Sequence, residues 1–240
     1  APRSYSGDSV KVSLGCLNPQ AQIFFRVVDS GLEFQPFAAP FYVNGTQSVE
    51  AYAMMPDPDN SQAVVKSGRV SSRIARIDPK LSVEIPFPYA NQYAAGGDHA
   101  LIDGFRGANT DFRTGDWQGY HGHDAEITVD LGQVQILTGL QVGVLQDVKA
   151  WIWAPERVEV WTGLEQGELE YWGAQPSSLD DRSEIPAMER LSLALPQGRP
   201  ARYVKLVARQ HDAGVVPDWH VGAGDTCWVF LDELEFQFEK

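Results

Sequence analysis

Apolar residues in this chain recur at every second position, and the three-and-four spacing of a helix is nearly absent. Val10, Val12, Leu14 and Cys16 alternate with Lys11, Ser13 and Gly15; Ile23, Phe25 and Val27 alternate with Phe24, Arg26 and Val28. Farther on, Ile127, Val129 and Leu131 alternate with Glu126, Thr128 and Asp130, and strand signals follow over residues 137–145, 157–161, 202–208 and 228–238. A period of two gives each strand one apolar and one polar face, so such a chain hides its apolar set between packed sheets. The expected fold is all-β.

Breaks in the alternation divide the chain. Strands before residue 77 are punctuated by Asn18-Pro19, by Asn44-Gly45, the strongest short-range hairpin signal, and by a polar loop over residues 57–61. Asn44-Gly45-Thr46 also has the form of a glycosylation acceptor, although the turn alone accounts for it. The segment DPKLSVEIPFPY, residues 78–89, holds three prolines and little for a core, which places a boundary there. Two domains are therefore expected: a small Ig-like β-sandwich over residues 1–79 and a jelly-roll-like β-sandwich over residues 80–240. The second opens with an aperiodic, glycine-rich stretch over residues 96–124, in which residues 100–102 are read as one helical turn.

Charge narrows the partners. The net charge is −13, and since residues 1–79 hold seven basic and seven acidic side chains, all of the excess acid lies in residues 80–240. An acidic surface opposes the phosphate contacts that dominate nucleic-acid affinity and is repelled by anionic lipid. Neutral or cationic ligands and divalent cations fit better, with no nucleic acid and no membrane insertion expected. No run approaches the roughly 18 apolar residues of a membrane span, and the start APRSYSG has neither a signal-type apolar segment nor a Met, so the chain reads as processed or excised. Cys16 and Cys227 each fall in phase with apolar neighbours and are expected as small buried hydrophobes in different domains.

The stretch HDAGVVPDWHVGAGDTCWVFLDELEFQF, residues 211–238, is a long loop feeding a last strand. Cys227, Val229 and Leu231 share one phase while Leu234, Phe236 and Phe238 fall in the other, which implies a one-residue slip at Asp232 and Glu233. A β-bulge makes such slips, and bulges re-aim side chains beside functional sites.

Residues 85–238 resemble a discoidin, or coagulation factor 5/8 type C, domain, a fold shared with family-32 carbohydrate-binding modules. The likeness is carried by ALIDGFRG, GDWQGY, AEITVDLGQVQILTGLQVG, PERVEVWTG, ARYVKLVA and FLDELEF, in that order. QDVKAWIW and PDWHVGAG are similar to segments at the C-terminus of bacterial glycoside hydrolase family 20 β-N-acetylhexosaminidases. The first domain resembles the small chitobiase-type C-terminal sandwich of those enzymes through VKVSLGC, AQIFFRV, PFAAPFYVNGTQSVEAYA and SSRIARI; it departs from the family's T-x-D-G-x-x-P turn, where VVDSGLEFQPF stands. The resemblance implies an accessory region of a secreted, periplasmic or cell-surface enzyme, with the enzyme's own catalytic domain upstream as a partner.

It also implies a structural calcium ion. Asp103 and Glu233 are the matching positions, with carbonyls near Leu101 and Ala108 and the side chain of Thr110 or Asp111 completing the oxygens that calcium prefers. The alternative is that Glu233 pairs with Arg106 or Arg202. A glycan ligand needs flat apolar surfaces beside groups that read hydroxyls. Three loops offer both, through Trp117, Tyr120, His121, Gln146, Asp147, Lys149, Trp151, Trp153, Trp219 and His220. Trp117 and Trp153 also stand where discoidin folds bury an aromatic residue.

Catalysis is not expected. Asp232 and Glu233 on a regular strand point to opposite faces and bracket no glycosidic bond. The spacing in His121-Gly122-His123-Asp124 is not that of a zinc site, and nucleophile motifs are absent. The remaining alternative to a glycan-binding module is a structural or adhesive module packed against a catalytic domain or a protein partner.

Overall fold

A computed structural model describes residues 4–239, apart from the side chains at 29, 61, 195 and 196; residues 1–3 of the APRSYSG start lie outside the described residues. The described chain is all-β, its helical pieces being 3-10 segments of three to five residues. It divides into two compact units between Ile77 and Asp78.

The first unit contains β1 (Ser4–Tyr5), β2 (Val10–Val12), β3 (Gln22–Val27), β4 (Gln35–Pro36), β5 (Phe41–Val43), β6 (Gln47–Asp57), β7 (Asn60–Lys66) and β8 (Val70–Arg76). Its larger sheet has the order β1-β8-β6-β3-β4, with β7 also on β6, and β2 pairs with β5 separately. Phe25, Val43, Val49 and Ala51 form the buried centre, to which Ile23, Val27 and Phe41 add. The alternation in β3 thus sends Phe25 inward and leaves Phe24 and Arg26 outside.

Two expectations change here. Asn44-Gly45 does form a turn, with Gly45 at φ 85°, yet β5 and β6 on its two sides belong to different sheets. The turn is therefore a corner between layers; the hairpin in this region is β6–β7, closed at Asp57↔Asn60. Cys16 is exposed, because β2 ends at Val12 and the strand phase does not reach it, whereas Cys227 is buried as expected.

The second unit contains β9 (Ser82–Glu84), β10 (Gln118–His121), β11 (Ala125–Gln146), β12 (Arg157–Gly163), β13 (Glu170–Pro176), β14 (Ala187–Arg209) and β15 (Trp228–Phe238). The order is β10-β15-β11-β14-β12-β13, with β9 on β11. β11 and β14 are long enough to serve both layers: the first half of β11 pairs with the second half of β14, and its second half pairs with β15. Register shifts between Asp130 and Gln135 and between Leu137 and Gly139 mark where β11 bends. The bend is pinned by Asp130, which accepts from the Gly132 amide at 2.7 Å and from both Arg202 Nε and Nη2 at 2.9 Å. Between the layers lies one apolar core that includes Leu101, Ile127, Leu140, Val160, Leu206 and Leu231. Residues 98–102 form the expected helical turn.

The bulge read from the phase slip is present. Val142 faces Leu234 and Val144 faces Leu231, so Asp232 and Glu233 stand opposite Gly143 alone.

Candidate functional site

The bulge aims both carboxylates at one short segment. Glu233 Oε1 accepts from the Gly104 amide at 2.9 Å, and Asp232 Oδ2 accepts from the Gly107 amide at 2.9 Å. This corrects the expectation of opposite faces, which holds only for a regular pleat. Gly143 makes room for the arrangement: a Cβ there would come 2.1 Å from Asp232 Oδ1. Asp232 is also paired with Arg190 at 3.1 Å.

Glu233 is different. It is buried, its Oε2 has no hydrogen-bond partner, and burial, reinforced by Asp103 and Asp232 against the Gly104 amide, pushes its carboxyl up to about 8. Arg106 pairs with Glu235, and Arg202 with Asp130, so neither guanidinium fills the role considered for it. A buried carboxylate oxygen without a donor, beside a second buried carboxylate in Asp103, fits a hard cation. Asp111 Oδ1 accepts from the Arg113 amide at 3.1 Å, as Asp103 Oδ1 does from the Phe105 amide at 2.8 Å, and Thr110 is half-buried. Among the described residues no group of three or more His, Cys, Asp or Glu is gathered for a metal, so any cation here depends on backbone oxygens as well.

On another part of the same unit lies a cavity of about 410 Å³, bordered by residues 181–182, 211–212 and 215–219. Its organising residue is Trp153, which is fully buried. Trp153 Nε1 donates to the Asp181 carbonyl at 3.0 Å, and Gln146 Nε2 donates to the Asp180 carbonyl at 2.8 Å. His211 stacks on the Trp153 ring at 5.9 Å and 9°, while Trp219 and His220 meet it edge-on at 6.2 and 5.4 Å. Val216 and Pro217 are buried beneath, and Trp219 remains 37% exposed at the side. The Arg182 guanidinium lies 5.5 Å from the Trp219 ring centre, and His211 Nε2 lies 3.8 Å from Asp181 Oδ2. The cavity thus offers an indole, a guanidinium, an imidazole and the carboxylates of Asp181, Asp212 and Asp218.

Backbone strain collects around this loop cluster. Trp151, Asp212 and Ala213 all have positive φ, at 62°, 45° and 55°, where residues with a side chain are disfavoured. The bend at Ala213 is followed by Gly214, where a Cβ would come 2.9 Å from the Gly122 backbone. Val216 and Asp225 close the loop with a 2.8 Å amide-to-carbonyl bond.

Of the residues singled out in the sequence, Trp219 alone reaches the cavity. His220 is half-buried and accepts from the Gly222 amide at 3.1 Å through Nδ1, so it shapes the loop. Trp151 is half-buried against Gly222, Asp147 begins the turn before it, with its amide bonded to the Ile152 carbonyl, and Lys149 pairs with Glu184. Gln146 and Trp153 are buried supports of the cavity rim. Trp117 and Tyr120 are buried: Trp117 packs under Gly107, donates to the Asn109 carbonyl and borders only a small cavity beside Gly143 and Asp232, and Tyr120 sits in the main core. Their proposed contact with a ligand is corrected, since the glycine-rich loop folds over them. His121 is exposed but stacks on Trp228 at 4.2 Å, away from the cavity lining. Asp181, Arg182, His211, Asp212 and Asp218 were not singled out as ligand-facing; the first two come from a polar loop without periodicity.

The sequence matches no protein-family model and no curated protein. Among solved structures it is similar to the C-terminal domain of a chitobiase from Bacteroides fragilis, at 17% identity and a TM-score of 0.41 over 67% of this chain and 95% of the other. It is also similar to a family-32 carbohydrate-binding module from Clostridium perfringens in complex with GalNAc-β-1,3-galactose, at 16% identity and 0.41 over 65% and 94%. A second module of that family from the same organism, in complex with galactose, gives 12% and 0.39 over 65% and 93%. Similarity at this level leaves the site of this chain to be read from its own geometry. No helix among the described residues is long and apolar enough to cross a membrane.

Proposed function

We propose that the chain is a non-catalytic carbohydrate-binding module whose sugar site is the cavity beside Trp219. The observation that supports this most is a half-open indole in a cavity whose polar rim is fixed from behind by the buried Trp153. An apolar pyranose face needs such an aromatic wall, and its hydroxyls need both donors and acceptors, here Arg182 and the carboxylates of Asp181, Asp212 and Asp218. With a single stacking ring, affinity for galactose-type or N-acetylhexosamine sugars is on the order of 0.1 to 1 mM. The sequence resemblance supports a place as the accessory region of a secreted β-N-acetylhexosaminidase-like glycoside hydrolase.

The calcium ion implied by that resemblance fits Glu233 and Asp103, with backbone carbonyls of residues 101 and 108 and the side chain of Thr110 or Asp111 as the further oxygens. Bound there, it supplies charge neutralisation for a buried carboxylate and cross-links a loop to the last strand. The sugar reading is tested by titrating the folded, calcium-supplied chain with galactose, N-acetylgalactosamine and N-acetylglucosamine. Saturable heat that Trp219→Ala reduces at least about tenfold is expected; silence across a glycan array would sink it.

A further inference from the structure

We propose that the outer face of the first unit's larger sheet is a second binding surface, independent of the Trp219 cavity, for a polyanionic glycan carrying carboxylate or sulfate groups. The outward positions of β3 and β6 place Phe24 directly opposite Tyr52, their rings stacked at 5.4 Å and 12°. Phe34 packs against Tyr52 at 4.9 Å, so three aromatic rings form a continuous bed on the side of the sheet away from its core.

Cations cover this bed. Lys66 Nζ lies 3.7 Å from the Tyr52 ring centre, and the Arg26 and Arg69 guanidiniums lie 4.9 and 5.1 Å from that of Phe34. Arg26 is neutralised by Glu50 at 2.8 Å, whereas Lys66 and Arg69 meet no carboxylate among the described residues. In the second unit, by contrast, Arg202, Arg209, Arg190 and Lys205 each pair with an acid. In a chain of net charge −13, two cations without a carboxylate, resting on two rings that touch each other, are an attraction for a polyanion.

The aromatic bed also decides the kind of partner. The cations already rest against the rings, so what the face presents outward is pre-positioned N–H donors, with Val64 as the exposed apolar neighbour two positions before Lys66 on β7. A chain with repeated anionic groups meets such a face by charge and hydrogen bonding alone, and ordering the cations beforehand lowers the entropy lost on contact.

Affinity electrophoresis of the full chain tests this, in gels containing heparin, polygalacturonate or neutral dextran. Retardation by heparin or polygalacturonate and not by dextran is expected, weakening as salt is raised; which of the two acts separates sulfate from carboxylate. The double variant Lys66→Ala with Arg69→Ala loses at least about tenfold in affinity, and the charge-keeping pair Lys66→Arg with Arg69→Lys retains it. Both side chains are exposed, and circular dichroism confirms that the variants fold. No retardation at low salt, equal retardation of the alanine variant, or capture by phosphatidylserine vesicles in place of polysaccharide overturns the proposal.

Discussion

Trp153 donates from its indole nitrogen to the carbonyl of Asp181 at 3.0 Å, and through that one bond a buried ring holds the rim of an open cavity. Trp153→Phe keeps an aromatic ring in place and removes the donor. One lost hydrogen bond of about 1 kcal/mol corresponds to roughly a fivefold change, so sugar affinity falls by about that factor while the fold persists. Calorimetric titration beside a thermal melt checks both halves; unchanged affinity would show that the rim needs no such anchor.

Calcium is expected to raise the melting temperature of the folded chain, and EDTA to reverse the rise. At one hundred times the dissociation constant the stabilisation is about 2.7 kcal/mol. Glu233→Gln removes the calcium response. In the absence of calcium that variant is at least as stable as the parent, because it replaces a buried carboxylate whose Oε2 has no donor. Differential scanning calorimetry with and without calcium reads both.

Acid sensitivity is expected at Asp130. Hydrogen bonds from Arg202 hold its carboxyl below the usual range, helped by the Gly132 amide and opposed by burial. A carboxyl that is more acidic in the folded state contributes stability above its unfolded value, and that contribution disappears as pH falls through the lowered one. Asp130→Asn therefore lowers the melting temperature by about 2–4 °C at pH 7. The gap between variant and parent closes at strongly acidic pH, and a gap constant across pH would place the effect elsewhere.

Gly143→Ala is expected to be severe. Its Cβ would collide with the Asp232 carboxylate, which is held by the Gly107 amide and Arg190 and has little room to yield. Overpacking of this kind costs about 1–3 kcal/mol, measurable by urea unfolding, and weakens the calcium response along with it.

The bulge at Asp232 and Glu233 was legible because strand alternation has a period of two, so a single inserted residue inverts every later position. The same period put Phe25 and Phe24 on opposite faces, and the structure has Phe25 buried and Phe24 outside. It failed at Cys16, where an alternating pattern outlasts the strand that would give it meaning. At Asn44-Gly45 local turn chemistry was right, but which strands pair across the turn is decided by long-range packing. The cavity was half-legible. Trp219 announced itself as an aromatic residue in a polar loop, whereas Asp181 and Arg182 arrive from a connection whose course depends on the buried donors of Gln146 and Trp153. Trp117 carried the same aromatic signal and is buried, since glycines permit a loop to fold over a ring as readily as to display it.

In the second unit's sheet, β15 lies between β10 and β11, strands that precede it by about a hundred residues. The middle of the sheet is therefore filled last. Until residues 228–238 have left the ribosome, the neighbouring edges of β10 and β11 stay unpaired, and the amides of Gly104 and Gly107 await their carboxylates. Synthesis of this unit thus ends with a strand insertion, and a chain stopped short of residue 228 leaves an open slot in the sheet, the width of one strand, for any other extended segment to enter.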